Sequence, residues 1–147
     1  MEGNRTDMET QDIRVQTDMG DSSLRILRGL TIQPIRLDLE NQTRSGADIY
    51  LARLTGKLSL ETVPDFLCMM RSEPAAYLVL DLSGVSFLDS AGVGALVSLF
   101  MSRRSTGKRL ALAAVAQQGI AVLEVSGLLR LLPLYASVDL AIRQFRI

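Results

Sequence analysis

The stretch from residue 76 to residue 116 restricts the fold more than any other part of the chain. Residues 76–82 hold the unbroken apolar run Tyr77-Leu78-Val79-Leu80, and residues 109–116 are a second, similar run. Strands apolar at successive positions are covered on both faces, as in parallel sheets. Between the two lies a helical pattern over residues 90–105. A strand, a helix and a second buried strand make a right-handed parallel crossover, so the chain is committed to an α/β layer structure.

The remaining elements extend this unit. Ile35, Leu37 and Leu39 alternate with Arg36, Asp38 and Glu40 from Pro34 onward, the pattern of a half-buried strand. Residues 41–47, with Gly46, read as a turn, and residues 48–54 as a second strand. That connection is too short for a parallel crossover, so the two strands pair antiparallel. A first helix is expected over residues 62–72, capped by Thr62 with Pro64 in its first turn. A third helix is expected over residues 117–125, closed by Gly127. A short strand over residues 131–135 and a helix over residues 137–144 complete the order β-β-α-β-α-β-α-β-α. The fold class is an α/β sandwich with a mixed, mainly parallel sheet of about five strands and about four helices. Residues 1–30 are polar and aperiodic and read as a flexible tail, with a turn of helix near residues 24–30; residues 31–147 form the domain.

Composition narrows the function. The 147 residues suit one domain, and 48% of them are hydrophobic, with a mean hydropathy of +0.22. Sixteen acidic residues balance sixteen basic ones, so no global basic field draws nucleic acid or an anionic membrane. There is no histidine, which removes Ser-His-Asp and Cys-His catalytic units, and zinc has no Cys/His cluster to hold it. No catalytic residue, metal site or cofactor is expected. The single cysteine, Cys68, sits in an apolar run and reads as a buried small hydrophobe in a reducing compartment. The polar start of the chain has no signal-peptide core, and no apolar run reaches the ~20 residues that span a bilayer. A soluble, cytoplasmic protein is the expectation.

The segment Asp81-Leu82-Ser83-Gly84-Val85-Ser86-Phe87-Leu88-Asp89-Ser90-Ala91-Gly92-Val93-Gly94 carries the functional signal. A buried strand ends, a Ser-Gly turn and an apolar link follow, and a helix starts with Ser90 where an N-cap belongs. On that helix Val93, Leu96, Val97, Phe100 and Met101 fall on a core stripe. Ala91, Ala95, Ser98, Ser102 and Ser105 make an uncharged face of small residues, with Leu99 at its border. Such a face lets another backbone approach, and reads as either a docking surface or an unconstrained exposed side. Parallel connection brings the loop at residues 56–61 and the loop at residues 83–89 to the carboxyl end of the sheet, where binding sites collect. Lys57, Ser59, Thr62, Asp89 and Ser90 are therefore expected on one surface, with Ser59 and Thr62 serving either as polar contacts or as turn and cap residues.

The element Asp89-Ser90-Ala91-Gly92-Val93-Gly94 resembles the Asp-Ser-x-Gly-x-Gly signature of STAS domains, as in bacterial anti-sigma-factor antagonists. Leu54-Thr55-Gly56-Lys57-Leu58, Gly107-Lys108-Arg109-Leu110 and Leu123-Glu124-Val125-Ser126-Gly127-Leu128 resemble three further family segments, in order, over residues 34–147. The resemblance implies a non-enzymatic partner switch. The protein would bind an anti-sigma factor that is also a serine kinase, freeing a sigma factor. The kinase would phosphorylate Ser90 and a serine phosphatase would reverse it, with nucleotide and magnesium belonging to the kinase. The other function implied is a STAS accessory subunit of a lipid-transport ABC complex, docked on an ATPase and not phosphorylated. The chain departs from the family pattern at Lys57 and Ser59, where acidic residues are common, and at Ala91, which leaves Ser90 the only hydroxyl at this helix start. The small-residue face could also serve a homodimer. The cluster Arg103, Arg104, Lys108 and Arg109 reads as cations complementing a helix C-terminus.

Overall fold

The computed structural model describes residues 15–16, 24–27, 29–37 and 49–145. Among these, the strands are β1 (Val15–Gln16), β2 (Arg25–Leu27), β3 (Leu30–Leu37), β4 (Ile49–Leu58), β5 (Tyr77–Leu88), β6 (Arg109–Ala113) and β7 (Leu134–Tyr135). The helices are α1 (Val63–Arg71), α2 (Ser90–Ser105), α3 (Gln117–Val125) and α4 (Val138–Gln144). One sheet runs β1-β3-β4-β5-β6-β7, with β2 also on β3. β3 pairs antiparallel with β4, whereas β4, β5, β6 and β7 are mutually parallel. The α/β sandwich expected from the apolar runs is therefore the fold.

The sheet separates two cores. On one face Leu54, Leu58, Leu78, Leu80 and Leu82 meet Phe66 and Met70 of α1, Leu96 and Leu99 of α2 and Leu123 of α3. On the other face Leu51, Val79, Ala111 and Ala113 meet Ala141 and Ile142 of α4. Alanines on both sides let α4 lie close to the sheet, and Phe145 stacks on Tyr77 with ring centroids 4.5 Å apart.

Several boundaries differ from the sequence reading, and pairing explains each. The residues read as a turn of helix near 24–30 hold β2, which pairs with β3. The turn expected at residues 41–47 lies outside the described residues. β4 runs on through Thr55-Gly56-Lys57 because Gly56, at φ +116, admits a register shift against β5. A Cβ there would lie 2.2 Å from the Gly29 carbonyl oxygen, so no other residue fits. Ser83-Gly84, read as a turn, lies inside β5, because the longer β4 supplies a partner for the extension. Cys68 is exposed, not buried: α1 turns Phe66 and Met70 inward at i, i+4 spacing, which leaves Cys68 on the outer side.

The largest correction concerns the phase of α2. Its buried residues are Gly92, Val93, Ala95, Leu96, Leu99 and Arg103, whereas Met101, expected in the core, is exposed. The helix is flanked by α1 and α3 and lies on β5 and β6, so its covered arc is wide. The small residues Gly92 and Ala95 let the helix approach its own fold. Arg103 ends the buried line and donates to the backbone carbonyls of Arg109, Glu73 and Ala75. Burial pushes its guanidinium down from the ordinary arginine value, and the nearby Glu73 carboxylate opposes that shift.

Candidate functional site around Ser90

Three backbone segments converge at the carboxyl end of β5: the β4–α1 loop, the start of α2 and the first turn of α3. Asp89, not Ser90, is the N-cap of α2. Its Oδ1 accepts from the Gly92 amide at 2.8 Å, and its Oδ2 accepts from the Leu60 amide of the β4–α1 loop at 3.2 Å. One carboxylate thus caps the helix and ties the neighbouring loop to it. Ser90 moves to the first helical position and is exposed. Its hydroxyl makes no hydrogen bond among the described residues.

The loop itself is held from inside. Thr62 is 1% exposed. Its Oγ1 accepts from the Ser59 amide at 3.0 Å and faces the Lys57 and Ser59 carbonyl oxygens at 3.0 and 3.2 Å, either of which can accept its proton. It makes no side-chain cap to α1. The expected cap and the expected partner contact are both replaced by a buried loop clasp. On the other flank the Gln118 side chain brackets Leu88: its Oε1 accepts from the Leu88 amide at 3.2 Å and its Nε2 donates to the Leu88 carbonyl at 3.3 Å. Both arms fix the backbone two residues before Ser90.

Of the residues expected on this surface, Lys57, Ser59, Asp89, Ser90 and Ala91 do gather at this end, with Lys57 paired to Phe87 and Leu58 to Leu88 across β4 and β5. Ala95 and Leu99 do not belong to it; they are 2% and 0% exposed, part of the core beneath α2. Ser98 and Ser102 are half-buried further along the helix, and Ser98 Oγ accepts from Arg71 of α1. The outward line of α2 instead runs through Ser90, Gly94 and Met101 to Ser105.

Sequence reasoning missed two apolar members. Leu60 is 72% exposed and Phe87 43% exposed, on the two chain segments that flank Ser90. An apolar residue inside an otherwise polar loop, Ser59-Leu60-Glu61, was the available signal for the first. Large apolar groups left in water at the end of the sheet that carries Ser90 have the composition of a docking surface.

Removing the bridging carboxylate tests the architecture. Asp89→Ala is expected to lose about 1–2 kcal/mol of stability, the usual range for an N-cap, read from urea midpoints. It should also speed amide exchange at Leu60, and an unchanged Leu60 would mean the bridge does not restrain the loop.

Residues 38–141 match the STAS domain family, and the chain belongs to it. Over 95 residues it is 27% identical to an anti-sigma-B factor antagonist of Staphylococcus epidermidis, covering 63% of this chain and 88% of the relative. An anti-sigma factor antagonist from Mycobacterium paratuberculosis superposes with a TM-score of 0.64 at 21% identity, over 79% of this chain and 95% of the other. The Bacillus cell fate determinant SpoIIAA in its phosphorylated form gives a TM-score of 0.53 at 22% identity, over 67% and 91%. Among the described residues no helix is long and apolar enough to cross a membrane, and no cluster of metal-ligating side chains is present.

Proposed function

We propose that this protein is an anti-sigma-factor antagonist in a partner-switching pathway, and that phosphorylation of Ser90 turns it off. The observation that carries the reading is the placement of Ser90: exposed, free of hydrogen bonds to described residues, and on a backbone held by Asp89, Thr62 and Gln118, with exposed apolar residues, Leu60 and Phe87, on the two adjoining chain segments. An exposed hydroxyl on a fixed backbone suits a kinase, and the apolar neighbours suit a partner. The family membership and the anti-sigma-B antagonist relative support the same role. On this reading the domain is not an enzyme. An anti-sigma factor with serine-kinase activity brings the nucleotide, a phosphatase restores the free hydroxyl, and the domain acts in the cytoplasm. Lys57, Ser59, Asp89, Ser90 and Ala91 lie in the contact, joined by Leu60, Phe87 and Gly94.

Incubation with ATP and the serine kinase of the anti-sigma type encoded nearest to it, followed by intact mass, tests this. One added phosphoryl group in the wild type and none in Ser90→Ala is the expected result. Tight binding without phosphorylation would leave a constitutive antagonist. Neither binding nor phosphorylation would overturn the sigma-pathway reading in favour of a transporter accessory subunit.

A further inference from the structure

The basic cluster near the end of α2 divides into two parts. Arg103 is buried and bonded to three backbone carbonyls. Arg104, Lys108 and Arg109 instead rim a cavity of about 260 Å³ whose walls include Phe100, Tyr135 and Phe145. The ion pairs among the described residues are Arg36–Glu73, Arg53–Asp81 and Arg143–Asp139, so none of the three rim cations has a carboxylate partner there. The Arg109 guanidinium lies 5.6 Å from the centroid of the Phe145 ring, at the seam between rim and wall. In a chain whose acids and bases balance, this is a local excess of positive charge over an aromatic surface. A cleft lined by one sign of charge with low-dielectric walls concentrates counter-ions. Small-molecule sites have this build, a mainly apolar lining with a few convergent polar groups.

We propose that this cavity binds a phosphate monoester with an aromatic or short aliphatic body. The two arginines and the lysine would meet the phosphate dianion, with the guanidinium forks matching its oxygens. The body would lie against Phe100, Tyr135 and Phe145. Arg104 lies fourteen residues after Ser90 on the same helix, about 21 Å along its axis, so the ligand does not occupy the Ser90 surface and its binding is independent of the function proposed above. The same head group occurs on free organic phosphomonoesters and on phosphatidic acid.

Phenyl phosphate is titrated into the full chain by calorimetry and by amide chemical shifts, with inorganic phosphate as the comparison. Saturable binding is expected, at least about tenfold tighter for phenyl phosphate than for inorganic phosphate, with shifts at Phe100, Tyr135 and Phe145. The double variant Arg104→Gln, Lys108→Gln should weaken it by about tenfold or more. The two single variants serve if the double variant melts below the wild type, and either must then weaken binding. Vesicles of phosphatidylcholine with phosphatidic acid separate the sources: sedimentation that the variants reduce assigns the lipid, and phenyl phosphate binding alone assigns a free metabolite. No saturation by millimolar phenyl phosphate, equal affinity for inorganic phosphate, or variants that bind as well as the wild type would each overturn the proposal.

Discussion

Gly92→Ala is expected to destabilise the domain by about 3 kcal/mol, while Gly94→Ala, two residues further on, stabilises it by about 0.5–1 kcal/mol. Both glycines lie inside α2, where exchange for alanine ordinarily gains stability by restricting the unfolded chain. Only one of them is free to do so. A Cβ on Gly92 would lie 2.2 Å from the Leu58 carbonyl oxygen and 2.7 Å from Leu88 Cδ1. The first is backbone of the central strand β4 and cannot rotate away, so α2 must lift or β4 must bend. Lifting α2 would also lengthen the 2.8 Å contact between the Gly92 amide and Asp89, weakening the cap. A Cβ on Gly94 meets nothing within 4 Å. Urea midpoints with unchanged slopes measure both. A Gly92→Ala protein as stable as the wild type would show that α2 does not need to approach β4 this closely. The pair also bears on the proposed contact. If a partner backbone rests on the outward line of α2, Gly94→Ala should weaken binding even as it stabilises the free domain.

Those two glycines also mark how far the sequence could be read. The signature Asp89-Ser90-Ala91-Gly92-Val93-Gly94 pointed to the candidate site, and the apolar runs around Tyr77-Leu78-Val79-Leu80 and residues 110–113 fixed the parallel sheet, because burial on both faces leaves a continuous pattern. The limits of α2 and α3 were legible as well, with Gly127 closing α3 as expected, although the residue that caps α2 is Asp89 and not Ser90. The inward side of α2 was not. A helix enclosed by α1, α3 and the sheet can bury small residues on one flank and long ones on another, so size stops reporting direction; Ala95 and Met101 were both assigned to the wrong side. The lengths of β4 and β5 were hidden for a related reason. Thr55-Gly56-Lys57 and Ser83-Gly84 have turn-like composition, and only their mutual pairing makes them strands. Thr62 shows the same limit locally. Its position before a helix predicts a cap, yet its hydroxyl is taken by Ser59 of the preceding loop and Lys57 at the end of β4, a competition that residue type alone does not decide.

On the function proposed above, the protein phosphorylated at Ser90 is expected to bind its anti-sigma partner at least about 100-fold more weakly than the unmodified protein, a loss of about 2.7 kcal/mol or more, while the stability of the free domain changes by less than about 1 kcal/mol. The two magnitudes differ because the added charge meets different surroundings. Phosphate brings roughly −1.5 to −2 charge to the first turn of α2. In the free protein the positive end of the helix and the amides of Ser90 and Ala91, which have no acceptor among the described residues, favour it. The Asp89 carboxylate already at the cap opposes it. These effects offset each other, and water screens the remainder because Ser90 is exposed. In the complex proposed above the same phosphate would be pressed under the partner. Water is then excluded, and desolvation of an unpaired dianion beside Asp89 costs several kcal/mol. Calorimetric titration of the partner with phosphorylated and unmodified protein reads the first quantity, and thermal melting of the two free forms reads the second. Ser90→Asp, with one charge and fewer oxygens, should fall between them. Equal affinity of the phosphorylated and unmodified forms would remove Ser90 from the contact. A phosphorylated domain that melts far below the unmodified one would mean that the switch acts by disrupting the fold rather than by presenting a charge.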